Sequence, residues 1–529
     1  MREKSSNLAQ KLKRTIMKRL ATAILMTVVA LVTASGETTQ KQINALCKQA
    51  DFKMPKVQLP KIAKKQFSVI TYGADPTGIK LSTEAFQNAI DAANAAGGGT
   101  VLIPSGIYTT GPIELKSNVC LYADYGALVS FSDDFTLYPV LDASFEGLDT
   151  KRCQSPISAR NAENIAIMGH GTFDGNGYSW RPLKKSKVTG SQWNAKIKTG
   201  VVDEKKNMWW PDEAAMRASY LCEDQNVPVL PKDATQEDWE AIRSFLRPVM
   251  LNLIGCKNIL LEGVCFENSP AWNLHPFMCE NLVLSNLEVR NPWYSQNGDG
   301  VDVESCKNVI IENCKFDVGD DAICMKSGKN EDGRRRGIPT ENVIVKNCIV
   351  YHGHGGFVVG SEMSGGIKNV TVEDCTFIGT DVGLRFKSTR GRGGVVENIW
   401  VRGINMTNIP NDGITFDLFY GGKGAGEETA EEIAARVNAS IPPVDETTPA
   451  FMNIVIENIT CKGAQRAIYF NGLPERKIEN VTLKNINMNA TEGAVFNQTN
   501  GLNVEELHIT CTKGNALELS NTVENVHIK

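Results

Sequence analysis

A six-residue phrase recurs along this chain and constrains its fold more than any other feature. Each copy begins with Asn, continues with alternating apolar residues and carries Asn, Asp or Gly five places after the first Asn. Period-2 alternation rich in Val and Ile indicates short β-strands, and repeats of this length indicate stacked coils. We therefore predict an all-β fold, a right-handed parallel β-helix. The clear copies begin at Asn258, Asn281, Asn308, Asn342, Asn369, Asn398, Asn453 and Asn480.

The residue at the fifth offset predicts a tight bend in each coil. Gly, Asn and Asp adopt the left-handed backbone conformation at little cost, so we expect bends there and a stacked ladder of side chains. The open N-terminal end of such a solenoid needs a cap. A helix within residues 81–99 supplies it, beginning at Ser82 or Thr83 and ending in Gly97 to Gly99.

The chain divides into segments of different composition. Residues 1–36 combine a basic start, a short apolar run and small residues, which predicts a secretory signal peptide rather than a membrane anchor. Residues 37–66 form an N-terminal extension, and residues 67–529 form the β-helix domain. Two stretches break the repeat, at about 178–250 and at 421–450, the second with a short helix at 427–437. We expect a secreted or periplasmic protein.

Charge and cysteine content restrict the partners. Residues 1–36 contain seven Lys or Arg and one Glu, so the remainder carries a formal charge of −10 against −4 for the whole chain. An acidic protein is a poor nucleic-acid binder, and we expect a monomer without membrane contact after signal removal.

Fourteen cysteines in a secreted protein suggest disulfides. Three of them, Cys314, Cys348 and Cys375, share one offset in successive coils, where we expect buried thiols instead.

Two adjacent aspartates, Asp320 and Asp321, interrupt an apolar run, where an unpaired charge is costly. Asp320 lies 12 residues after the repeat Asn of its coil, and His354 lies 12 residues after that of the next coil. Equal offsets should stack these two side chains on one face. Structural ion pairing explains any single pair, but not the whole set. Four successive coils bring together Asp299, Asp320, Asp321, His354, Arg385 and Lys387.

These residues belong to motifs that resemble the polygalacturonase family, glycoside hydrolase family 28. The motifs are Asn297-Gly298-Asp299, Asp320-Asp321, Gly353-His354-Gly355 and Arg385-Phe386-Lys387, in the order that the family shows. The resemblance extends from residue 67 to about residue 485. Gly298 departs from the Thr that is frequent in the family. The long insertion at 178–250 resembles the exo-acting bacterial members.

Cleaving a glycosidic bond needs one carboxyl group to protonate the leaving oxygen and another to activate water. Crowding three acids raises the pKa of at least one of them. The resemblance assigns Asp320 as the acid and Asp299 with Asp321 as the bases. It also implies that the reaction inverts the anomeric centre, with the carboxyl groups about 6.5–9.5 Å apart. His354 would support the protonation state of the acid.

The remaining site residues concern the substrate. Arg385 and Lys387 would bind a uronate carboxylate, and Asn297 would contact the sugar. For His275 two interpretations stay open, contact with the substrate and a packed position in the core. We expect no cofactor and no metal, since no Cys/His spacing indicates zinc and no acidic loop has EF-hand spacing.

The sequence thus predicts a pectin-degrading enzyme acting on pectic polysaccharide or oligogalacturonides at α-1,4-galacturonosyl bonds. Rhamnogalacturonan or xylogalacturonan hydrolysis, a pectate lyase on the same fold, and a non-catalytic polysaccharide-binding β-helix stay open as alternatives. We expect attack at chain ends, because the insertion at 178–250 is long enough to wall off a groove. Trp209 and Trp210 within it would stack on a sugar face.

Overall fold

The computed structural model describes residues 37–224, 226–421, 431 and 440–529. The chain divides into the units Met1–Gln42, described from residue 37, and Ile43–Lys529, which contains all the coils. The predicted signal peptide lies outside the described residues, as does the predicted helix at 427–437 apart from Glu431. Within the described ranges, no helix is both long and apolar enough to cross a bilayer.

The second unit is a right-handed parallel β-helix, as predicted, with three parallel sheets that we call A, B and C. Each coil contributes its strands to the sheets in that order, except that the first coil has no strand in sheet C. Sheet A contains Gln66–Ser68, Gly99–Ile103, Val119–Ala123, Glu163–Gly169, Lys257–Glu262, Glu280–Ser285, Lys307–Glu312, Thr340–Lys346 and Ile367–Glu373. Sheet B contains Thr77–Leu81, Gly106–Thr110, Ala127–Phe131, Thr172–Asp174, Cys265–Glu267, Glu288–Arg290, Lys315–Asp317, Ile349–Val350 and Thr376–Ile378. Sheet C contains Ile113–Glu114, Ile157–Arg160, Leu251–Ile254, Leu274–Phe277, Val301–Glu304, Asp321–Lys326, Gly355–Val359 and Leu384–Lys387.

The last coils have longer strands that bend through all three sheets without interruption. Each of them pairs in register with its predecessor in sheets A, B and C. These strands are Val395–Asp417, Ala450–Asn471, Ile478–Asn497 and Thr499–Leu519, and Glu524–Ile528 adds a final strand to sheet A.

The interior of the coils is a continuous apolar core, because every second residue of each strand points inward. Because the strands pair in register, identical side chains of successive coils stack on one another. In sheet C this forms a row of Phe386, Phe416, Phe470 and Phe496. Their ring centroids lie 4.2, 4.4 and 4.7 Å apart. Truncating one such buried Phe to Ala removes about 3–5 kcal/mol from the free energy of unfolding.

The repeat Asn residues form the bends, and the predicted left-handed conformation at the fifth offset is confirmed. Asn286, Asn313 and Asn347 have φ of 54°, 56° and 54°. The first Asn of each phrase is left-handed too, which we did not predict, and it forms the longer ladder. Its side-chain amide donates to the preceding Asn over Asn118, Asn164, Asn258, Asn281, Asn308, Asn342 and Asn369, at 3.0–3.3 Å.

The predicted capping helix is Thr83–Ala95, with Ser82 at its N-cap and buried Phe86 and Ile90 against the first coil. Residues 43–62 lie along the outer face of sheet A and cover an apolar stripe of residues in register. The stripe explains why these strands are apolar on both faces. Further helices are Gln40–Cys47, Gly190–Lys196, Glu213–Ala218, Gln236–Glu240 and Asn330–Arg336, and 3₁₀ turns are Val69–Tyr72, Phe135–Leu137, Lys185–Lys187 and Arg243–Phe245.

Two segments leave the coils at the turn from sheet B to sheet C. The first is an antiparallel hairpin, Val140–Phe145 with Leu148–Cys153, which the sequence did not predict. The second runs from Asp174 to Leu251 and corresponds to the predicted insertion. It contains the antiparallel strands Leu183–Lys184, Val201–Asp203, Met208–Trp210, Cys222–Asp224 and Val227–Pro228.

The tryptophans of this insertion do not form a sugar platform, so that expectation is wrong. Trp209 and Trp210 are only 1% and 4% exposed. They pack in two small hydrophobic cores of the insertion, with Trp193 and Trp180 respectively. The insertion is long enough to need a core of its own, and its large aromatic residues supply that core.

All fourteen cysteines are free thiols, so the general expectation of disulfides is wrong. The expectation for Cys314, Cys348 and Cys375 is confirmed, because all three are buried thiols in successive coils. Burial raises the pKa of the Cys348 thiol well above its ordinary value. Such thiols pack as small apolar groups rather than as nucleophiles.

Candidate active site

The residues predicted from the motifs meet at the sheet C side of four successive coils. Asp299, Asp320 and His354 occupy the turns that lead into sheet C, while Asp321, Arg385 and Lys387 lie on its strands. Backbone register places Asp321 opposite Gly355, so Asp320 and His354 stack as their equal offsets predicted. A cavity of about 280 Å³ opens onto the three aspartates, His354 and Lys387.

The three carboxyl groups form a close cluster. One oxygen of each of Asp299, Asp320 and Asp321 lies within 4.8 Å of the others. This distance joins the nearest oxygens, whereas the expected separation of about 6.5–9.5 Å is between whole carboxyl groups and stays a prediction. A water molecule about 2.8 Å from each of two oxygens fits between them. Asp299 and Asp321 are 3% and 1% exposed, whereas Asp320 is the more accessible of the three.

Asp321 is held by two cations from a coil beyond His354. The Lys387 ammonium lies 2.7 Å from Oδ2 of Asp321, and an Arg385 guanidinium nitrogen lies 3.2 Å from Oδ1. Burial alone would lower the pKa of Arg385, but Asp321 and its neighbours raise it above its ordinary value. Both cations also face the ring of Tyr420, at 5.5 and 4.8 Å from its centroid. The two cations thus bind an internal carboxylate at the edge of the cavity.

Asp320 pairs with His354. Nδ1 of His354 lies 3.1 Å from Oδ1 of Asp320, and the backbone N–H of Asp321 donates to the same oxygen at 3.0 Å. The charge of Asp320 raises the pKa of His354 above its ordinary value, against the effect of burial. Burial alone would raise the pKa of Asp320, but His354, Lys387 and Arg385 together lower it. Asp320 and His354 therefore form an ion pair that holds one proton.

Asp299 is the member of the cluster whose charged form is disfavoured. Burial raises the pKa of Asp299 well above its ordinary value, and the nearby Asp302 and Asp320 add to the shift. The imidazolium of His354 stabilises the charge on Asp320 and not on Asp299, so the pKa values of the two carboxyl groups shift in opposite directions. The roles of Asp320 as the acid and of Asp299 and Asp321 as the bases stay predictions.

The two predicted substrate-binding residues outside the cluster differ in position. Asn297 lines the cavity, and its side chain accepts from Arg247 at 2.9 Å and donates to Glu146 at 3.3 Å. His275 does not reach the cavity. It is completely buried, with Nε2 2.8 Å from Glu304 and its ring between Trp272 and Phe277. The alternative, a packed core histidine, describes His275 correctly.

Several cavity residues were not predicted. Tyr420 comes after the strand Val395–Asp417. Glu362 lies in the motif Gly360-Ser361-Glu362, which follows the strand Gly355–Val359. Glu362 bonds the buried Lys326 at 2.8 Å. Some of the other unpredicted residues come from the hairpin, the insertion and an exposed loop, outside the repeat. Among them are Glu146, Lys184, Lys187, Asn226 and Trp293, the last of which is 58% exposed.

Two family models match the chain. The model of the glycosyl hydrolases family 28 matches residues 243–511, and the model described as rhamnogalacturonase A/epimerase, pectate lyase-like, matches residues 66–194. The first range contains the three aspartates, His354 and both cations. It covers just over half of the chain.

Individual relatives agree. A probable polygalacturonase of Vitis vinifera is 27% identical over 76% of this chain and 75% of its own length. An exo-poly-alpha-D-galacturonosidase of Dickeya chrysanthemi is 28% identical over 77% of this chain and 64% of its own length. The crystal structure of a hyperthermoactive exopolygalacturonase from Thermotoga maritima is 28% identical, with a TM-score of 0.65 over 93% of this chain and 96% of that one. By its fold, its motifs and this match, the chain belongs to the glycosyl hydrolases family 28.

Proposed function

We propose that this protein is a secreted, monomeric hydrolase that cleaves α-1,4-galacturonosyl bonds of pectin from chain ends. The observation that carries the proposal is the cluster of three carboxyl groups beside an imidazole and two cations in one cavity. Carboxyl groups supply the acid and base of glycoside hydrolysis. Cations at the edge of the cavity suit a sugar that carries a carboxylate.

The reaction begins at the Asp320–His354 pair. Asp320 is the most accessible of the three acids and receives the proton of His354 across their 3.1 Å contact. Asp320 then protonates the glycosidic oxygen as the bond from that oxygen to the anomeric carbon breaks. His354 is thus the reservoir of the acid's proton, which explains how an ionised Asp320 can serve as the acid.

A water molecule between Asp299 and Asp321 attacks the anomeric carbon. Of these two, Asp321 accepts the proton of the water. Asp321 keeps its place through Lys387 and Arg385. Attack from the face opposite Asp320 inverts the anomeric centre. Nuclear magnetic resonance of the first product from an α-linked substrate should therefore detect the β-anomer before it equilibrates.

Arg385 and Lys387 are proposed to bind the carboxylate of the sugar beside the scissile bond. Their charges are shared with Asp321 in the resting site, so a bound uronate would compete with Asp321 for the same N–H donors. A neutral or methyl-esterified sugar offers no such charge and should bind more weakly.

Attack at chain ends is supported by the hairpin. Its turn, Glu146–Gly147, contacts Asn297, which precedes the sheet C strand Val301–Glu304. The same turn accepts a hydrogen bond from the backbone of Lys329, which follows the strand Asp321–Lys326. The turn therefore contacts residues beyond both ends of the sheet C strands in these two coils. It does so on the side of the earlier coils, away from Arg385 and Lys387.

A panel of defined oligosaccharides tests this function. We expect release of reducing sugar from galacturonan oligomers and little from rhamnogalacturonan or xylogalacturonan oligomers of equal length. Asp299→Asn provides the inactive control. A product that absorbs ultraviolet light and vanishes with EDTA would indicate a lyase, and binding without any cleavage would indicate a non-catalytic protein; either result contradicts the proposal.

A further inference from the structure

The turn of the Val140–Cys153 hairpin carries a glutamate where the backbone disfavours one. Glu146 and Gly147 form a two-residue turn with φ of 50° and 74°. Both residues are left-handed, and such turns strongly prefer Asn, Asp or Gly. A bulkier residue in this conformation stores strain, which persists where the surrounding structure enforces it. The backbone conformation at this position does not favour Glu, so we attribute the presence of Glu146 to its carboxyl group.

The Glu146 carboxyl group is fixed from several directions. Its Oε1 accepts from the side-chain amides of Asn226 at 2.8 Å and Asn297 at 3.3 Å. Among the described residues, its Oε2 accepts one bond, a long one of 3.4 Å from the backbone N–H of Asn226. Since a carboxylate oxygen can accept two bonds, Oε2 retains capacity for another donor.

The hairpin itself is anchored at its turn. The backbone N–H of Lys329 donates to Gly147, and Asp149 pairs with Arg335 and Arg336 at 2.9 and 2.8 Å. These arginines belong to the helix Asn330–Arg336, which follows a catalytic strand. The carboxyl group of Glu146 is therefore held in a defined place by elements that also build the active site.

Glu146 lines the same cavity as the catalytic aspartates and is 2% exposed, comparable to the 3% of Asp299. Burial raises the pKa of Glu146 above its ordinary value, against the effect of Lys329. Whether protonated or charged, its Oε2 can accept a hydrogen bond from a sugar hydroxyl. When charged, it also repels a second uronate carboxylate. Both properties suit the end of a groove rather than its middle.

We propose that Glu146 recognises the free chain end, by accepting a hydrogen bond from the C4 hydroxyl of the terminal non-reducing galacturonosyl residue. In a 1→4-linked chain this hydroxyl is free only at that end, since every internal C4 oxygen belongs to a glycosidic bond. Glu146 would therefore determine specificity for chain ends without taking part in bond cleavage. The inference rests on the proposed function. It adds to that function the residue that recognises the chain end, Glu146, and the substrate group that Glu146 binds, the C4 hydroxyl.

The test compares trigalacturonate with its 4,5-unsaturated analogue, which lacks the C4 hydroxyl. We expect the wild-type protein to prefer the saturated trimer in kcat/KM by about ten- to a hundredfold, as for loss of a hydrogen bond to a buried charged group. In Glu146→Gly the preference should fall to roughly threefold or less, because the partner of the hydroxyl is gone. Glu146→Gln, which keeps the length of the side chain, should fall between them.

Glycine suits the left-handed turn, so Glu146→Gly should fold with an unchanged or higher Tm. Asp142→Asn is the matched control: Asp142 lies exposed on the same hairpin, pairs with Lys151 and does not line the catalytic cavity. That variant should keep the wild-type preference. A borohydride-reduced trimer, altered only at the reducing end, should be discriminated equally by all variants.

The outcomes separate this inference from the proposed function. If the wild-type protein cleaves neither trimer, the proposed function is wrong. If it cleaves both but Glu146→Gly retains the full preference for the saturated trimer, Glu146 does not recognise the C4 hydroxyl. If Glu146→Gly instead changes discrimination against the reduced trimer, Glu146 recognises the reducing end, which also overturns the inference.

Discussion

Nδ1 of His354 lies 3.1 Å from Oδ1 of Asp320, and the two residues stack because they hold the same place in successive coils. We propose that the contact makes them one unit in proton transfer, with the proton on His354 before the reaction. Neither residue alone has the right properties for an acid at neutral pH. Together they supply an accessible carboxyl group and a store for its proton.

Asp320→Asn should abolish most of the activity. An amide keeps the shape of the side chain but cannot deliver a proton, and general acid catalysis contributes typically about 10²–10⁴-fold. We expect kcat on oligogalacturonides to fall by that factor, with KM and Tm nearly unchanged. Steady-state kinetics and a melting curve check this, and turnover within about threefold of wild type would refute the assignment of Asp320.

The alkaline limit of activity should follow His354. Its pKa is raised by Asp320 above the ordinary value of 6.5, so the pair carries its proton below that raised pKa and loses it as pH rises through it. We expect kcat to be maximal on the acid side and to fall as pH passes above 6.5. His354→Ala should lower kcat and remove this limb from the pH profile.

The control for this pH profile is His352→Ala. His352 lies two residues away, is mostly exposed and pairs with Asp317 instead of a cluster aspartate. That variant should keep the wild-type limb. A limb that disappears in His352→Ala, or one that persists unchanged in His354→Ala, would show that another group titrates.

Lys387→Ala should weaken the recognition of substrate charge. The variant loses a cation that lies 2.7 Å from Asp321 and borders the cavity, so activity should fall on all substrates. The informative quantity is the ratio of kcat/KM for free-acid over methyl-esterified oligomers, which should fall by about tenfold or more. Arg390→Ala removes a cation that binds Glu475 outside the site and serves as control. An unchanged ratio in Lys387→Ala would exclude a role in binding the uronate.

The fold could be predicted because its information is local and repeated. The alternation in each phrase specifies a strand, the left-handed Asn specifies a bend, and counting residues between phrases places Asp320 beside His354. The N-terminal helix was predictable for the same reason, since its cap and apolar face lie within one segment. Here sequence distance converts directly into position along the solenoid.

Residues outside the repeat could not be placed in this way. Glu146 and Lys187 reach the cavity from segments that no coil offset describes, and Trp209 was misjudged because its insertion has a core of its own. The directions of the pKa shifts of Asp299 and Asp320 could not be predicted either. They depend on how close His354 lies to Asp320 and Asp302 to Asp299, which a sequence does not contain.

The thiols provide a test that is independent of catalysis. With all fourteen cysteines free, reduction should remove no cross-link, so the Tm should be equal with and without dithiothreitol. Titration of the unfolded, unreduced protein with a thiol reagent should count all fourteen. A lower count, together with a Tm that falls by several degrees on reduction, would demonstrate a disulfide.

The mode of attack can be read from the earliest products of polygalacturonate digestion. We propose that the Glu146–Gly147 turn closes one side of the groove, which would then admit a chain terminus but not the middle of a polymer. We therefore expect monomer or dimer as the main early product, with viscosity falling slowly relative to the release of reducing ends. Shortening the hairpin, by replacing residues 141–152 with a Gly-Ser linker, should open the groove and shift the early products toward longer oligomers. If the wild-type digest loses its viscosity early and yields mixed long oligomers first, the groove is open and the enzyme attacks within the chain.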